Sequence, residues 1–387
     1  MQTRTANALA CITFTLIGGC KWDEPIGTTG TGGETTTTTE GGSGGTSQGG
    51  TGQVGGTGGT GGSGTTGGTS STGGTMPAGG AGGTGGSPGC PPITLGITDM
   101  ARNIVVDSTH VYWTHGENTS PVRVPICGGS PPEPLAEETG SSGSYLVVDD
   151  NYVYWAASGN GGSVYRVAKT GGARELLAQD AGSGLTQSAT HLYWAGAVFT
   201  DSWHYTIERW PKLGGPVETI VPDSFAPRPT GSLAVDDMYL YWLEGFGSSN
   251  VYRVPVDGSA DPEWISWGDG IPEAFTADDT FVYWVSDFNG SKGYRAPKTG
   301  GNSQVIFAVS GYTLSIAVDG GYAYTSIGKY LPDPSSKTGI FRVPTSGGPV
   351  EWVVENQISP YGMAFDPLYM YFTNNSGQAP VWQIPKP

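Results

Sequence analysis

One pattern, present in seven copies, constrains this chain more than any other feature. An aromatic pair recurs as Tyr112-Trp113, Tyr154-Trp155, Tyr193-Trp194, Tyr241-Trp242, Tyr283-Trp284, Tyr324-Thr325 and Tyr371-Phe372, at spacings of 42, 39, 48, 42, 41 and 47 residues. Five residues before each tyrosine stands Asp107, Asp149, Ser188, Asp236, Asp278, Asp319 or Asp366. A second motif follows the pair, as in Val164-Tyr165-Arg166-Val167-Ala168-Lys169-Thr170-Gly171-Gly172, and returns around Arg123, Arg209, Arg253, Arg295 and Arg342. A period of forty-odd residues built from short strands points to a propeller.

One unit reads strand by strand. Tyr145 to Val148 is a short apolar strand, Asp149-Asp150-Asn151 a turn, and Tyr152 to Ala156 an aromatic strand. Ser163 to Ala168 is a third strand, Thr170-Gly171-Gly172 a turn that uses glycine's freedom at positive φ, and Arg174 to Ala178 a fourth. The last repeat stops after its third strand, at Val381 to Pro385, whereas Pro91-Pro92-Ile93-Thr94-Leu95 resembles the fourth-strand segment Pro131-Pro132-Glu133-Pro134-Leu135. Pairing of residues 91–98 with the C-terminal blade would seal the ring and remove a free edge. The 297 residues of 91–387 then give about 42 per blade. The expected fold is all-β, a seven-bladed β-propeller, with six or eight blades as the alternative counts.

Glycine divides the chain. Residues 27–89 hold 29 Gly and 18 Thr, no Trp, Tyr, Phe, Leu or Ile, and only Glu34 and Glu40 as charges. Such a stretch cannot bury enough apolar surface to offset backbone ordering, so 20–89 reads as a disordered tether. Gly41-Gly42-Ser43-Gly44-Gly45 matches a nucleophile elbow only in letters, because no strand precedes it and no helix follows. Ahead of the tether, Arg4 and the apolar Ala8 to Ile17 lead into Leu16-Ile17-Gly18-Gly19-Cys20, which resembles the lipobox of bacterial lipoproteins. The resemblance implies a signal peptide over 1–19, acylation of Cys20, and export to the outer membrane or cell surface, with Lys21 after the cysteine. With Cys11 in the signal, Cys90 and Cys127 remain, and in an oxidising compartment they would be free to pair. Neither belongs to a C-x-x-C pair, so no metal site is read from them.

The repeats over 90–387 resemble the Tyr-Trp-Thr-Asp repeats of the low-density-lipoprotein-receptor type of propeller, through Tyr112-Trp113-Thr114. That family has six blades, and its Asp does not follow Thr114 here. Bacterial exported proteins with similar Tyr-Trp and Lys-Thr-Gly-Gly repeats are the nearer likeness, and the resemblance implies fold rather than activity.

Residues that recur in every blade serve each blade's own packing. The repeated Asp residues are therefore expected to cap turns, the Tyr-Trp pairs to fill the inter-blade core, and the repeated Arg to snorkel or to pair with a neighbouring blade's carboxylate. His110 and His191 occupy one repeated position and count as scaffold. Connections between second and third strands, and between fourth and first strands, vary and share one face, so that face is the expected functional surface. Its unusual features are the third-blade loop Phe199 to Tyr205 with Trp203, His204 and Tyr205, the first-blade His115 and Glu117, the fourth-blade Glu244 and Phe246, and Tyr330 within Lys329 to Pro334. The aromatic run either packs on a neighbouring loop or contacts a ligand.

Function follows at class level. A net charge of −16 excludes a general nucleic-acid binder, since few bases are available to neutralise phosphates. The leading expectation is a lipid-anchored envelope propeller that binds a protein, peptide or carbohydrate, touching the membrane only through its anchor. One alternative is a lyase or hydrolase using His115 and His204 with a divalent metal in the central channel. Another is a structural scaffold of an envelope complex. No catalytic residue, metal ligand set or cofactor is assigned. Glu117, Asp201, Asp269 and Asp287 are the groups that would host Ca²⁺, without an EF-hand-like loop to support it.

Overall fold

The computed structural model describes residues 90–116, 120–137, 142–158, 162–199, 203–223, 229–245, 248–287, 290–328 and 337–387. The leader, the tether and Cys20 lie outside these residues, as do Glu117, Asp201, Phe246 and Tyr330. The described residues form seven four-stranded antiparallel sheets arranged as blades in a ring, with no helix among the named elements. In blade 2 the strands are Ser142–Val148, Tyr152–Ser158, Ser163–Ala168 and Glu175–Gln179, from the inner strand to the rim. Blade 7 joins both ends of the chain. Pro360–Phe365, Tyr369–Asn374 and Ala379–Pro385 are followed in space by Ile93–Thr98, which runs antiparallel to the C-terminal strand from Ile93↔Gln383 to Thr98↔Ala379. Beside that junction Cys90 and Cys127 are joined by a disulfide, with Cα atoms 5.6 Å apart, and the Cys127 amide donates to Gln383 Oε1 at 3.0 Å.

Strand alternation explains how two adjacent aromatics hold two seams. Neighbouring residues of a strand point to opposite faces, so in each blade the tyrosine turns toward the next blade and the tryptophan toward the previous one. Tyr112 packs in one cluster with Trp155, Tyr154 with Trp194, Tyr193 with Trp242, Tyr241 with Trp284, Tyr324 with Phe372, and Tyr371 closes the ring against Trp113. All five tryptophans of the repeat are fully buried. Blade 6 lacks the tryptophan. There Phe341, from its third strand Gly339–Pro344, fills the seam and meets Phe307 edge-on at 5.0 Å. Each such aromatic removes roughly 150–250 Å² from water, which makes the seams the main source of cohesion.

The repeated aspartate does more than cap a turn. Asp107 Oδ1 accepts the amides of Thr109 and His110 at 2.7 and 2.8 Å, while Oδ2 accepts the Tyr112 hydroxyl at 2.9 Å and pairs with Lys169 of the next blade. The same clasp joins Asp149 to Lys212 at 3.4 Å, Asp236 to Lys298 at 3.0 Å and Asp319 to Lys386 at 2.6 Å. Blade 3 has Ser188 in place of the aspartate, and the next blade has Val256 where the lysine would stand. A half-buried lysine without its counter-charge would be costly, so the two changes belong together. The repeated arginines depart from expectation. Arg166, Arg209 and Arg342 pair with Glu175, Glu218 and Glu351 on the rim strand of their own blade, at 2.7, 2.5 and 2.9 Å. What reaches the neighbouring blade is a hydrogen bond to its backbone, as from Arg209 Nη1 to the Val256 carbonyl and Arg253 Nη1 to the Lys298 carbonyl at 2.5 and 2.6 Å. Each glutamate is the register partner of its arginine on the adjacent strand, Arg166↔Glu175, Arg209↔Glu218 and Arg342↔Glu351, so the carboxylate stands directly across the sheet.

Candidate functional site

The antiparallel order of every blade sends the first-to-second and third-to-fourth turns to one face and the remaining connections to the other. The first set is uniform. Gly171 and Gly172, with φ of 83° and 132°, make the kind of paired-glycine turn that follows the third strand in blades 1, 2, 3, 5 and 6. The second face carries the divergent segments, and there the third blade differs from the expected loop. Its second and third strands, His191–Phe199 and Trp203–Pro211, pair without interruption from His191↔Pro211 to Phe199↔Trp203. Trp203, His204 and Tyr205 are therefore the start of a strand in an extended hairpin, an outcome that suits aromatic side chains on a pleated surface. Asp223, just beyond the rim strand Glu218–Val221, fastens it. Its Oδ2 lies 2.6 Å from His204 Nδ1, and its Oδ1 accepts the Tyr205 amide at 2.7 Å. An ionised carboxylate is acceptor only, so Nδ1 carries the proton. That hydrogen bond, with the Tyr205 amide second, holds Asp223 below its usual range. His115, partly buried, follows the second strand of blade 1, His110–Trp113, two blades around the ring from His204.

A different group of residues converges at the centre of this face. Counting back five residues from the repeated aspartate gives Arg102, Ser144, Ser183, Gly231, Glu273, Leu314 and Tyr361. Six of the seven inner strands shift register near this point, as between Pro272 and Ala274 and between Pro360 and Met363. The extra residue of a bulge leaves the ladder and its side chain is re-aimed. Glu273, at the bulge of blade 5, accepts the hydroxyl of Tyr312 of blade 6 at 2.8 Å. Asp287, at the end of the neighbouring strand Phe281–Asp287, is close enough for Glu273 to act on its charge. Tyr361 of blade 7 interacts with Glu273 of blade 5 and with Arg102 ahead of blade 1, and Tyr145 of blade 2 interacts with Tyr361 and Arg102. Blades 5 and 7, like blades 7 and 2, are not neighbours. Such groups act on one another electrostatically across the channel axis.

The electrostatics of this axial group is unlike the rest of the ring. Burial pushes Glu273 up to about 7, against the lowering effect of the Tyr312 hydrogen bond. Burial also raises Asp287 to about 7, and the Glu273 charge adds to it. Asp287 Oδ2 is out of contact with water and accepts no hydrogen bond among the described residues. Ser291 Oγ is placed to donate to the Gly311 carbonyl at 2.7 Å or to Asp287 Oδ1, and it accepts the Thr313 amide at 3.1 Å. Of the Ca²⁺ candidates, Asp269 is engaged with Lys292 at 3.3 Å, and among the described residues no three His, Cys, Asp or Glu side chains come together as a ligand set. Of the axial residues, sequence reasoning named only Asp287. The signal that would have found Arg102, Glu273 and Tyr361 is their bulk and charge at a position where other repeats carry mostly small residues.

No protein-family model matches the chain, and no curated protein matches it in sequence. Solved structures do resemble it. It is similar to U3-55K, with a TM-score of 0.55 and 12% identity over 76% of this chain and 98% of that one. Similarity extends to BamB from Moraxella catarrhalis, at a TM-score of 0.49 and 13% identity over 74% and 86% of the two chains, and to a chain of a nidogen/laminin complex, at 0.47 and 16% over 66% and 98%. At such identities the likeness shows the fold alone, and the U3-55K match carries it.

Proposed function

We propose that this protein is a lipid-anchored binding propeller of the cell envelope, which recognises a protein, peptide or carbohydrate through its divergent face. One observation carries the reading. On that face five blades contribute Arg102, Glu273 and the tyrosines Tyr145, Tyr312 and Tyr361, drawn from different repeat positions, to one axial group, whereas the opposite face repeats one turn. Scaffold needs are the same in every blade, so convergence of non-repeating residues marks a site selected for something beyond packing. The extended hairpin of blade 3 stands beside it as a flank that a larger ligand would reach. In this reading Cys20 is acylated after export, and residues 20–89 hold the ring away from the outer membrane or cell surface.

The full chain, probed against glycan arrays and envelope-protein fractions, tests it. Retained ligands are expected to be lost in Tyr361→Ala and weakened in His204→Ala, yet unaffected by Leu213→Ala on the opposite face, where that side chain is fully exposed. Binding that follows Leu213 instead would overturn the assignment of the face. Cys20→Ala is expected to move the protein from the membrane to the soluble fraction.

A further inference from the structure

We propose that the Cys90–Cys127 disulfide is a thiol-sensitive latch on the closing seam of the ring, and that its reduction by a dithiol releases the strand Ile93–Thr98 from blade 7. The inference concerns how the ring is held shut and is independent of what the divergent face binds.

Two repeated side chains tie neighbouring blades at other seams. An arginine of the third strand donates to a backbone carbonyl beyond the seam, from Arg123 to Lys169, Arg209 to Val256, Arg253 to Lys298 and Arg342 to Pro387. A lysine just after the third strand meets the repeated aspartate of the preceding blade, as Lys169, Lys212, Lys298 and Lys386 do. The seams after blades 3 and 5 have Val256 and Thr345 in place of that lysine, yet keep Arg209 and Arg295. Only the seam from blade 7 to blade 1 departs at both positions. Gln383 stands across from Tyr371 as Arg123 stands across from Tyr112, and Ile126 follows Pro125 as Lys298 follows Pro297.

The residue after Ile126 is Cys127, so the disulfide sits where both ties are missing. Gln383, fully buried, turns to the cysteine instead. Its Oε1 accepts the Cys127 amide at 3.0 Å, and its Nε2 lies 4.0 Å from Cys127 Sγ. The Cys90 amide donates to the hydroxyl of Tyr369, in the second strand of blade 7. The strand behind this junction is held lightly. Of Ile93–Thr98 only Leu95 and Thr98 are buried, and the ladder to Ala379–Pro385 is irregular between Thr94 and Gly96. Its far end is fastened by Asp99, which accepts the Gln378 amide at 2.8 Å. Its near end has the disulfide. Loss of the S–S bond lets the strand peel from Ile93 onward and bares the edge of Ala379–Pro385.

Cys127 is exposed in its turn and Cys90 is half-buried, so a thiolate can reach the bridge from solvent. One thiolate of the dithiol attacks Cys127 Sγ, the S–S bond breaks, and Cys90 leaves as a thiolate that takes up a proton. The second thiol of the reagent then displaces Cys127, which is protonated in turn. Two cysteine thiols form as the dithiol is oxidised to its own disulfide.

Hydrogen exchange of the full chain, read by mass spectrometry with and without dithiothreitol, tests this. Reduction is expected to speed exchange across Ile93–Thr98 at least about tenfold, most at the Ile93 end, and to a lesser degree in the facing strand Ala379–Pro385. Glu175–Gln179, the rim strand of blade 2, is expected to keep its rate, and reoxidation to restore the native pattern. Alkylation of Cys90 and Cys127 in the folded chain reports that the bridge has opened. The double variant Cys90→Ser with Cys127→Ser should behave, untreated, as the reduced chain does; the treated native chain decides should that variant fail to fold. A bridge that resists dithiothreitol until the ring unfolds, exchange unchanged by reduction, or protection lost equally from Glu175–Gln179 would overturn the latch.

Discussion

Two sets of half-buried carboxyl groups in this ring behave in opposite ways. At the uniform face Asp107, although burial works against it, is held down to about 2 by the Lys169 ammonium and the amides of Thr109 and His110. At the divergent face burial drives Asp287 and Glu273 up to about 7, opposed only by the Thr313 amide on the one and the Tyr312 hydroxyl on the other. Burial raises all three, and at Asp107 the Lys169 ammonium and the amides outweigh it. Repetition produced the first set, and it secures neighbouring blades. The second set occurs once, and it is where the ring departs from its own rule.

The largest effect should come from breaking a clasp. Asp149→Ser leaves Lys212 Nζ, largely shielded from water, without its counter-charge, and is expected to lower unfolding free energy by about 3 kcal/mol. The chain already contains the remedy in blade 3, where Ser188 faces Val256. The double variant Asp149→Ser with Lys212→Val should therefore recover most of the loss, leaving about 1 kcal/mol in guanidinium titrations. If the double variant is as unstable as the single, the clasp is more than a matched charge pair.

Next comes pH. Asp107 has a depressed native pKa, so its contribution is complete above the unfolded value near 3.8 and is lost as pH falls toward 2. Glu273 and Asp287 are raised from 4.5 and 3.8, so their contribution is complete below about 4 and is lost as pH rises through 7. Asp287→Asn removes that ionisation and is expected to stabilise the protein by about 1–2 kcal/mol more at pH 8 than at about pH 4. Equal effects at both values would erase the contrast between the two faces.

How much of this was readable from residues alone also divides by face. Blade number, the Ser163–Ala168 strand and the inter-blade role of Tyr154 and Trp155 follow from a repeat that imposes one environment seven times. The rim strand begins at Glu175 rather than Arg174, because Arg174 turns its guanidinium to the Glu137 carbonyl near the preceding blade's end. The axial group stayed hidden for a different reason. Spacing says which residues share a level of the ring, but a bulge in the inner strand decides which of them face the axis. Glu273 and Tyr361 are 88 residues apart, and only closure of the ring brings them together. Gly362 marks the close approach of blade 7 to its neighbour blade 1, since a Cβ there would stand 2.2 Å from the Arg102 carbonyl.

The smallest effect should come from the blade 3 hairpin, and it probes whether the divergent face is independent of the scaffold. His204 and Asp223 form their pair with side chains 37% and 42% exposed, so solvent screens the attraction and little of it survives as stability. The Tyr205 amide, however, depends on Asp223 Oδ1 for its hydrogen bond. Asp223→Ala is therefore expected to leave the global denaturation midpoint unchanged while speeding hydrogen exchange at Tyr205, because opening the tip exposes no inter-blade seam. His204→Ala should do less, since the backbone bond to Asp223 remains. A fall in the midpoint comparable to that of Asp149→Ser would place the hairpin within the ring's cooperative unit. The flank of the binding face would then be part of the scaffold, and its aromatic residues would owe their presence to packing.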